Sequence, residues 1–417
     1  MKVTVSPGTF GGTIPAIASK SCAHRLLICA ALSGAPSELG CSTVSDDILA
    51  TARCLEALGA GIERTDGGFS VSPIDRENLP SGPVLDCGES GSTLRFLLPV
   101  VCALGADCRL TMGGRLPRRP LSPLYEELVR HGARLSAQGV SPLRAGGRLE
   151  DPDFVIPGGV SSQFISGLLL ALPIMGGGTV KVTGKTESRS YIDITCRCMT
   201  ACGADVRFAE GVYAVSGGYA APKVIAAEGD WSNAAFWLCA GAIGKNAVTV
   251  TGLDPDSAQG DRKIVDIIRK FGGNIMVTES SVTSVPAKLR GTEIDAADIP
   301  DLVPVISTLA AAAEGTTRVY DAGRLRLKES DRLAAIYNIM STLGVNITET
   351  TDGFTIVGGE PLRGGEVSAW NDHRIAMTAA VASLLAEGSV TIDGAECAAK
   401  SYPGFFEDFR RLGGETT

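Results

Sequence analysis

The 417-residue chain is 44% apolar and 20% charged, a balance that supports a sizeable core and excludes global disorder. Its length allows two or three domains, and its net charge of −8 argues against a general nucleic-acid binder while leaving room for a small anion held by a local cluster of Arg and Lys. The opening Met1-Lys-Val-Thr-Val reads as a strand rather than a secretory leader, and no uncharged apolar run reaches membrane-spanning length, so no membrane partner and a cytoplasmic location are expected.

Taken from the N-terminus, the chain repeats one unit six times. One class of segment is an almost wholly apolar helix ending in glycine: His24 to Gly34, Thr93 to Gly105, Phe164 to Gly176, Ala234 to Gly244, Leu302 to Gly315 and Arg374 to Gly388. The closing glycines are 71, 71, 68, 71 and 73 residues apart. A second class is amphipathic and closes at Gly59, Gly132, Gly203, Gly272, Gly344 and Gly413, at spacings of 73, 71, 69, 72 and 69. Glycine after a helix is the usual left-handed stop. Short β-branched runs such as Thr179-Val-Lys-Val-Thr fill the gaps. Helices apolar on nearly all sides must be buried, and three units per globule give two domains of ordinary size.

The apolar helices begin at polar clusters: Ser19-Lys-Ser21, Glu89-Ser-Gly-Ser-Thr93, Ser161-Ser-Gln163, Asp230-Trp-Ser-Asn233, Asp298-Ile-Pro-Asp301 and Asn371-Asp-His-Arg374. Each is an ordinary N-cap by itself. If the helices run parallel, their positive ends meet on one surface that attracts anions. The run Arg324-Leu-Arg-Leu-Lys-Glu-Ser-Asp-Arg332 adds cations. Read as a strand, it places Arg324, Arg326 and Lys328 on one face, followed by Glu329 and by a helix that Ser330-Asp331 caps.

Most of the twelve cysteines lie in apolar helical runs, which suits buried, reduced thiols. Cys196-x-Cys198-x3-Cys202 lacks a second ligand pair, and the chain has only three His, so no metal site is expected there.

Ser19-Lys-Ser-x-x-x-Arg25, Glu89-Ser-Gly-Ser-Thr-x-Arg95, Arg115-x3-Arg119-Pro, Ser161-Ser-Gln163, Ser188-x-x-Tyr-Ile-Asp193, Ile299-Pro-Asp301, Arg326-x-Lys-Glu-Ser-Asp-Arg332, Asn371-Asp-His-Arg374 and Lys400-x-x-Pro403 follow one another along the whole chain. In order and spacing they resemble the 5-enolpyruvylshikimate-3-phosphate synthase family. The resemblance implies an α/β fold of two similar domains, each of three βαβαββ units with buried parallel helices, and an active site in the interdomain cleft. It places residues 1–18 and 228–417 in one domain and 19–227 in the other. It implies transfer of the enolpyruvyl group of phosphoenolpyruvate to the 5-hydroxyl of shikimate 3-phosphate, on the route to chorismate and the aromatic amino acids. It further implies small-molecule substrates only, no metal or organic cofactor, a monomer, and inhibition by glyphosate.

By the same resemblance, Lys20, Ser21, Arg25, Ser161, Ser162, Gln163, Ser188, Asp301 and Lys328 hold shikimate 3-phosphate. Lys20, Gly91, Arg115, Gln163, Arg332, Arg374 and Lys400 hold phosphoenolpyruvate. Asp301, Glu329, Lys20 and Lys328 carry the chemistry, which needs one group to take the hydroxyl proton and one to shuttle the methylene proton. Glu89 and Arg324 stand where the family pattern has Asn. The sister family acting on UDP-N-acetylglucosamine usually carries a reactive Cys in the loop matching Gly113 to Pro120, and this loop has none.

Overall fold

The computed structural model describes residues 1–6 and 8–417. The chain forms two compact units, Met1–Ile17 with Glu228–Thr417, and Ala18–Ala227. Its α-helices, in chain order, are α1 (Lys20–Ala31), α2 (Asp46–Ala57), α3 (Gly91–Leu104), α4 (Leu124–Arg130), α5 (Ser162–Ala171), α6 (Arg189–Ala201), α7 (Trp231–Ile243), α8 (Ile264–Lys270), α9 (Val303–Ala312), α10 (Arg332–Thr342), α11 (His373–Ala382) and α12 (Phe405–Arg411). The odd-numbered helices are the apolar class, and nearly every side chain on them is buried. The even-numbered ones are the amphipathic class.

Six four-stranded sheets share one pattern. In the second repeat, Val84–Asp86 pairs parallel with Cys108–Thr111. That strand pairs antiparallel with Leu143–Gly146, which pairs antiparallel with Arg134–Leu135. The parallel pair needs a crossover, and the apolar helix α3 supplies it. Each repeat is therefore a βαβαββ unit. Three strands come from distant parts of the sequence. Lys2–Ser6 lies between Val390–Asp393 and Glu415–Thr416, and Gly12–Pro15 pairs parallel with Val248–Thr251. Val224–Ala226 pairs parallel with Ser37–Gly40, so the first repeat takes its leading strand from the end of the third. Aromatic packing holds the N-terminal segment in place. Phe10 rests on Phe409 with ring centroids 4.8 Å apart, beside the stacked pair Trp237 and Phe405 at 4.7 Å.

The glycine stops divide by class. The six glycines closing the even-numbered helices all adopt φ between 85° and 102°. Each of these helices reaches its next strand after a three-residue link, which a left-handed residue can turn and an L side chain strains. Among the apolar helices, α3 has a link of the same length and uses Gly105 at φ 74°. Gly244, by contrast, is extended with φ −78° and ψ −163°, because α7 leaves through a longer connection.

The segment Gly323–Leu327 is a 3₁₀ turn, not the strand its alternation suggests. Leu325 is buried and Leu327 exposed, so the two leucines do not share a face. Arg326 swings to Asp331 at 3.1 Å and Glu349 at 2.7 Å, while Lys328 turns the other way. With three residues per turn, the side chains fan out instead of alternating.

Candidate active site

Functional side chains gather at the N-termini of the apolar helices in each unit. In Ala18–Ala227, Ser19 caps α1 by accepting from the Cys22 amide. The next residue, Lys20, reaches Asp47 at the start of α2, Nζ to Oδ2 2.9 Å. One turn on, Arg25 is buried, with its guanidinium over the Phe96 ring at 4.6 Å. It donates to Thr195 Oγ1 at 2.6 Å, to the Ser21 carbonyl at 2.5 Å and to the Tyr191 carbonyl at 3.0 Å. Burial lowers its pKa, since these partners are neutral oxygens and do not offset the desolvation of a cation.

Gly167 lets α5 lie directly on α3, for a methyl there would sit 2.2 Å from the Arg95 carbonyl. That contact sets Gln163 beside Arg95. The Gln163 carboxamide accepts from Arg95 Nη1 at 2.6 Å and donates to Ser92 Oγ at 3.0 Å. Ser161 caps α5 through the Gln163 amide, and Ser162 is buried behind it. Ser188, also buried, precedes α6 at φ 52° and ψ 43°. A non-glycine residue in that region is strained, and such strain gathers at ligand sites.

Arg95 also donates to the Pro120 carbonyl at 3.1 Å, which ties down the loop Gly113–Pro120. Arg119 is thereby laid over Gly91, where an added methyl would meet Nη1 at 2.8 Å. Arg115 is exposed at the mouth of the turn Leu116–Arg118. Of the two arginines in the motif, Arg119 is the one the structure sets beside Gly91, and the sequence reading selected Arg115. Glu89 packs its carboxylate against Gly114, where a methyl would lie 2.6 Å from Oε2.

In the other unit the site centres on Asp301. The sequence makes it a plausible cap for α9, but that helix starts at Val303 with Leu302 in the cap position and no side-chain cap bond. Proline in its first turn already removes one of the donors a cap would serve. Asp301 instead takes three cations: Lys328 Nζ at 3.3 Å, Arg332 Nη1 at 2.8 Å and Arg374 Nη2 at 3.2 Å. Arg332 is 1% exposed and meets two further carboxylates, Glu329 at 2.8 Å and Asp372 at 2.8 Å. Burial works against its charge, yet Asp372, Glu329 and Asp301 outweigh it and keep the guanidinium more firmly protonated than usual. Burial acts the same way on Lys328 and there prevails over the pull of Asp301, so the ammonium's pKa is lowered.

Asp372 was not singled out from the sequence, although it stands inside a quoted motif. It caps α11 through the Arg374 amide at 3.0 Å and accepts from the Ser330 hydroxyl at 3.0 Å as well as from Arg332. The turn before it holds Trp370 and Asn371 both at φ 53°, and Lys400 donates to the Asn371 carbonyl at 2.9 Å. Asp47 and Asp261 were also missed. They sit among helix starts like any capping acid, and nothing local marks them. Among the described residues, no group of three or more His, Cys, Asp or Glu side chains is placed to hold a metal ion, and no helix is long and apolar enough to cross a membrane.

This arrangement can bind polyanions through fixed guanidinium and ammonium groups. It also sets two carboxylates, Asp301 and Glu329, where protons can be moved. The chain is 42% identical to the 3-phosphoshikimate 1-carboxyvinyltransferase of Clostridium kluyveri over 99% of its own length and 97% of the relative's. It is 40% identical to that of Clostridium acetobutylicum with the same coverage. Among solved structures it is similar to the EPSP synthase of Acinetobacter baumannii, with a TM-score of 0.83, 26% identity and coverage of 100% and 99% of the two chains. The family model described as EPSP synthase (3-phosphoshikimate 1-carboxyvinyltransferase) matches residues 6–409, and with six repeats and a three-cation carboxylate in place, the chain belongs to that family.

Proposed function

We propose that the chain transfers the enolpyruvyl group of phosphoenolpyruvate to the 5-hydroxyl of shikimate 3-phosphate, giving 5-enolpyruvylshikimate 3-phosphate and phosphate. The observation that carries this reading is the Asp301 cluster, in which one carboxylate is held by Lys328, Arg332 and Arg374. Asp301 accepts the proton of the attacking hydroxyl. Glu329, joined to the cluster through Arg332, passes a proton to and from the methylene carbon. Lys328, with its lowered pKa, assists proton movement between them. Addition of the hydroxyl oxygen gives a tetrahedral intermediate, and loss of phosphate restores the double bond.

Lys20, Ser21, Arg25, Ser161, Ser162, Gln163 and Ser188 are assigned to shikimate 3-phosphate, alongside Asp301 and Lys328. Lys20, Gly91, Gln163, Arg332, Arg374 and Lys400 are assigned to phosphoenolpyruvate. Arg119 joins them, since it lies over Gly91, and it takes precedence over the exposed Arg115. A cytoplasmic setting fits the twelve cysteines, all of them free thiols. A phosphate-release assay tests the reading. Phosphate should appear with phosphoenolpyruvate and shikimate 3-phosphate and not when UDP-N-acetylglucosamine replaces the latter. Release with the nucleotide sugar alone would overturn it.

A further inference from the structure

Beneath the starts of α1, α2 and α3 runs a buried chain of hydrogen bonds made of residues with no assigned part in the site. His24 Nδ1 lies 2.6 Å from Thr51 Oγ1, and Thr51 Oγ1 lies 2.7 Å from Thr93 Oγ1. Thr93 donates to Ser90 Oγ at 2.8 Å, with the Asp47 carbonyl a longer second acceptor at 3.4 Å. Ser90 Oγ caps α3 and accepts from the Thr93 amide at 3.2 Å as well. His24, Thr51, Thr93 and Ser90 are each at most 1% exposed. Lys20 precedes His24 by four residues and Asp47 precedes Thr51 by four, so each pair shares a helix face. The Lys20–Asp47 ion pair at 2.9 Å therefore sits one turn above the His24–Thr51 bond.

Each hydroxyl carries one proton, which fixes the sense of the chain. The Thr93 proton is taken by Ser90 and the Asp47 carbonyl, so the contact between Thr51 and Thr93 must be a bond that Thr51 donates. The Thr51 proton is then committed, and His24 must supply an Nδ1–H to Thr51. Its Nε2 is left as a bare acceptor, and that atom meets no donor among the described residues. A second ring proton would find no acceptor there, and burial first, then the charges of Lys20 and Arg25, oppose it. The outer end of the chain is tied down too. The Ser90 amide donates to the Cys87 carbonyl at 3.0 Å, and the Gly113 amide donates to the Gly88 carbonyl at 2.7 Å. The turn Gly88–Gly91 is thus joined to the loop that lays Arg119 over Gly91.

We propose that Thr51 and Thr93 are positioning residues for phosphoenolpyruvate: passing hydrogen bonds outward from His24 to Ser90, they fix the turn that presents the Gly91 backbone relative to Lys20. The inference rests on the enolpyruvyl-transfer reading above. Its test begins with steady-state kinetics of Thr51→Val and Thr93→Val, which keep the side chain's shape and remove the hydroxyl. Each should raise the KM for phosphoenolpyruvate about tenfold, with kcat and the affinity for shikimate 3-phosphate within about threefold of the wild type. Thr51→Ser and Thr93→Ser keep the hydroxyl and should return the KM toward the wild-type value. Combining Thr51→Val with Thr93→Val should add little to either alone, because one break already opens the chain. An unchanged KM in both valine variants overturns the proposal. Equal rises in the constants for both substrates, as a general loosening of the fold would give, overturn it as well. The chain is also tested without turnover, and so separately from the assigned reaction, by long-range nitrogen–proton correlation spectra of the His24 ring in the wild type at neutral pH. The Nδ1–H tautomer is expected. The Nε2–H tautomer would commit the Thr51 proton to His24, leave none between Thr51 and Thr93, and overturn the proposal whatever the kinetics.

Discussion

Asp301 and Glu329 distinguish a structural role from a chemical one at the scale of single residues. Asp301 makes no cap bond to α9, so replacing it by Asn sacrifices no cap, and Glu329→Gln keeps its shape. An amide cannot shuttle a proton at neutral pH. Each variant should therefore lose roughly 100- to 10,000-fold in turnover while still binding shikimate 3-phosphate. Turnover, ligand affinity and a melting curve measured together check this, and a loss below tenfold in a folded, ligand-binding variant removes that residue from the mechanism. Gly91 makes a different point. A methyl there meets the end of a flexible side chain, Arg119 Nη1 at 2.8 Å, so the guanidinium yields and the backbone does not. Gly91→Ala should raise the KM for phosphoenolpyruvate several-fold and weaken glyphosate inhibition more, with thermal stability nearly unchanged. Equal losses for substrate and inhibitor would defeat the steric argument.

Elements differ in how much their closing glycines matter, and the surroundings set the order. Gly344 and Gly413 end α10 and α12 at φ 88° and 91°, so alanine is strained at both by about 1 kcal/mol. At Gly344 the atoms nearest the new methyl would be those of the flexible Arg363 side chain, at 3.4 Å. At Gly413 it would sit 2.2 Å from the Thr9 carbonyl, which belongs to the backbone and cannot move aside. Gly413→Ala should cost clearly more than Gly344→Ala in denaturant midpoint, and comparable midpoints would show that the close approach is relaxed in solution. The same logic explains α3 and α5, whose separation depends on Gly167 and which together bring Arg95, Gln163 and Ser92 into one bonded group.

For the whole molecule, pH acts on stability from both sides. His24 is buried on α1 with Nδ1 2.6 Å from the Thr51 hydroxyl. Burial, reinforced by the charges of Lys20 and Arg25, holds its pKa well below the usual value of 6.5. For a base with a depressed folded pKa, the stabilisation is complete above the unfolded value and is lost as pH falls. Melting temperature should drop on acidification below about pH 6.5, and more steeply in the wild type than in His24→Gln. Identical slopes would remove His24 as the cause. Asp261, whose pKa burial and the charge of Asp301 raise to about 6, works in the opposite direction between the ordinary carboxylate range and about pH 6, and over that span it offsets the slope from His24.

By itself the sequence determined the six-fold repeat, the two helix classes, the polar clusters in which Ser19, Ser90, Ser161, Asp230 and Asp372 turn out to be the caps, the cap at Asp331, and the left-handed glycines after every amphipathic helix. These features are local. A helix period, a capping oxygen and a φ that only glycine tolerates all act within a few residues of one another. The family motifs supplied most of the residues assigned to the candidate site for the same reason, because the motifs lie at helix starts. Where local pattern and tertiary environment conflict, the pattern misleads. Alternation over Arg324–Lys328 suggests a strand, yet the burial of Leu325 and the pull of Asp331 and Glu349 on Arg326 wind it into a 3₁₀ turn. Only the tertiary structure decided that Asp301 holds cations 27, 31 and 73 residues further along the chain. Only it set Arg119 over Gly91 and brought Asp261 to Ser232 and Arg374. Such partners share no period and no turn. Their charges meet because the repeats stack helix starts together, and in a buried setting a carboxylate must find its cation or its proton wherever the fold supplies one.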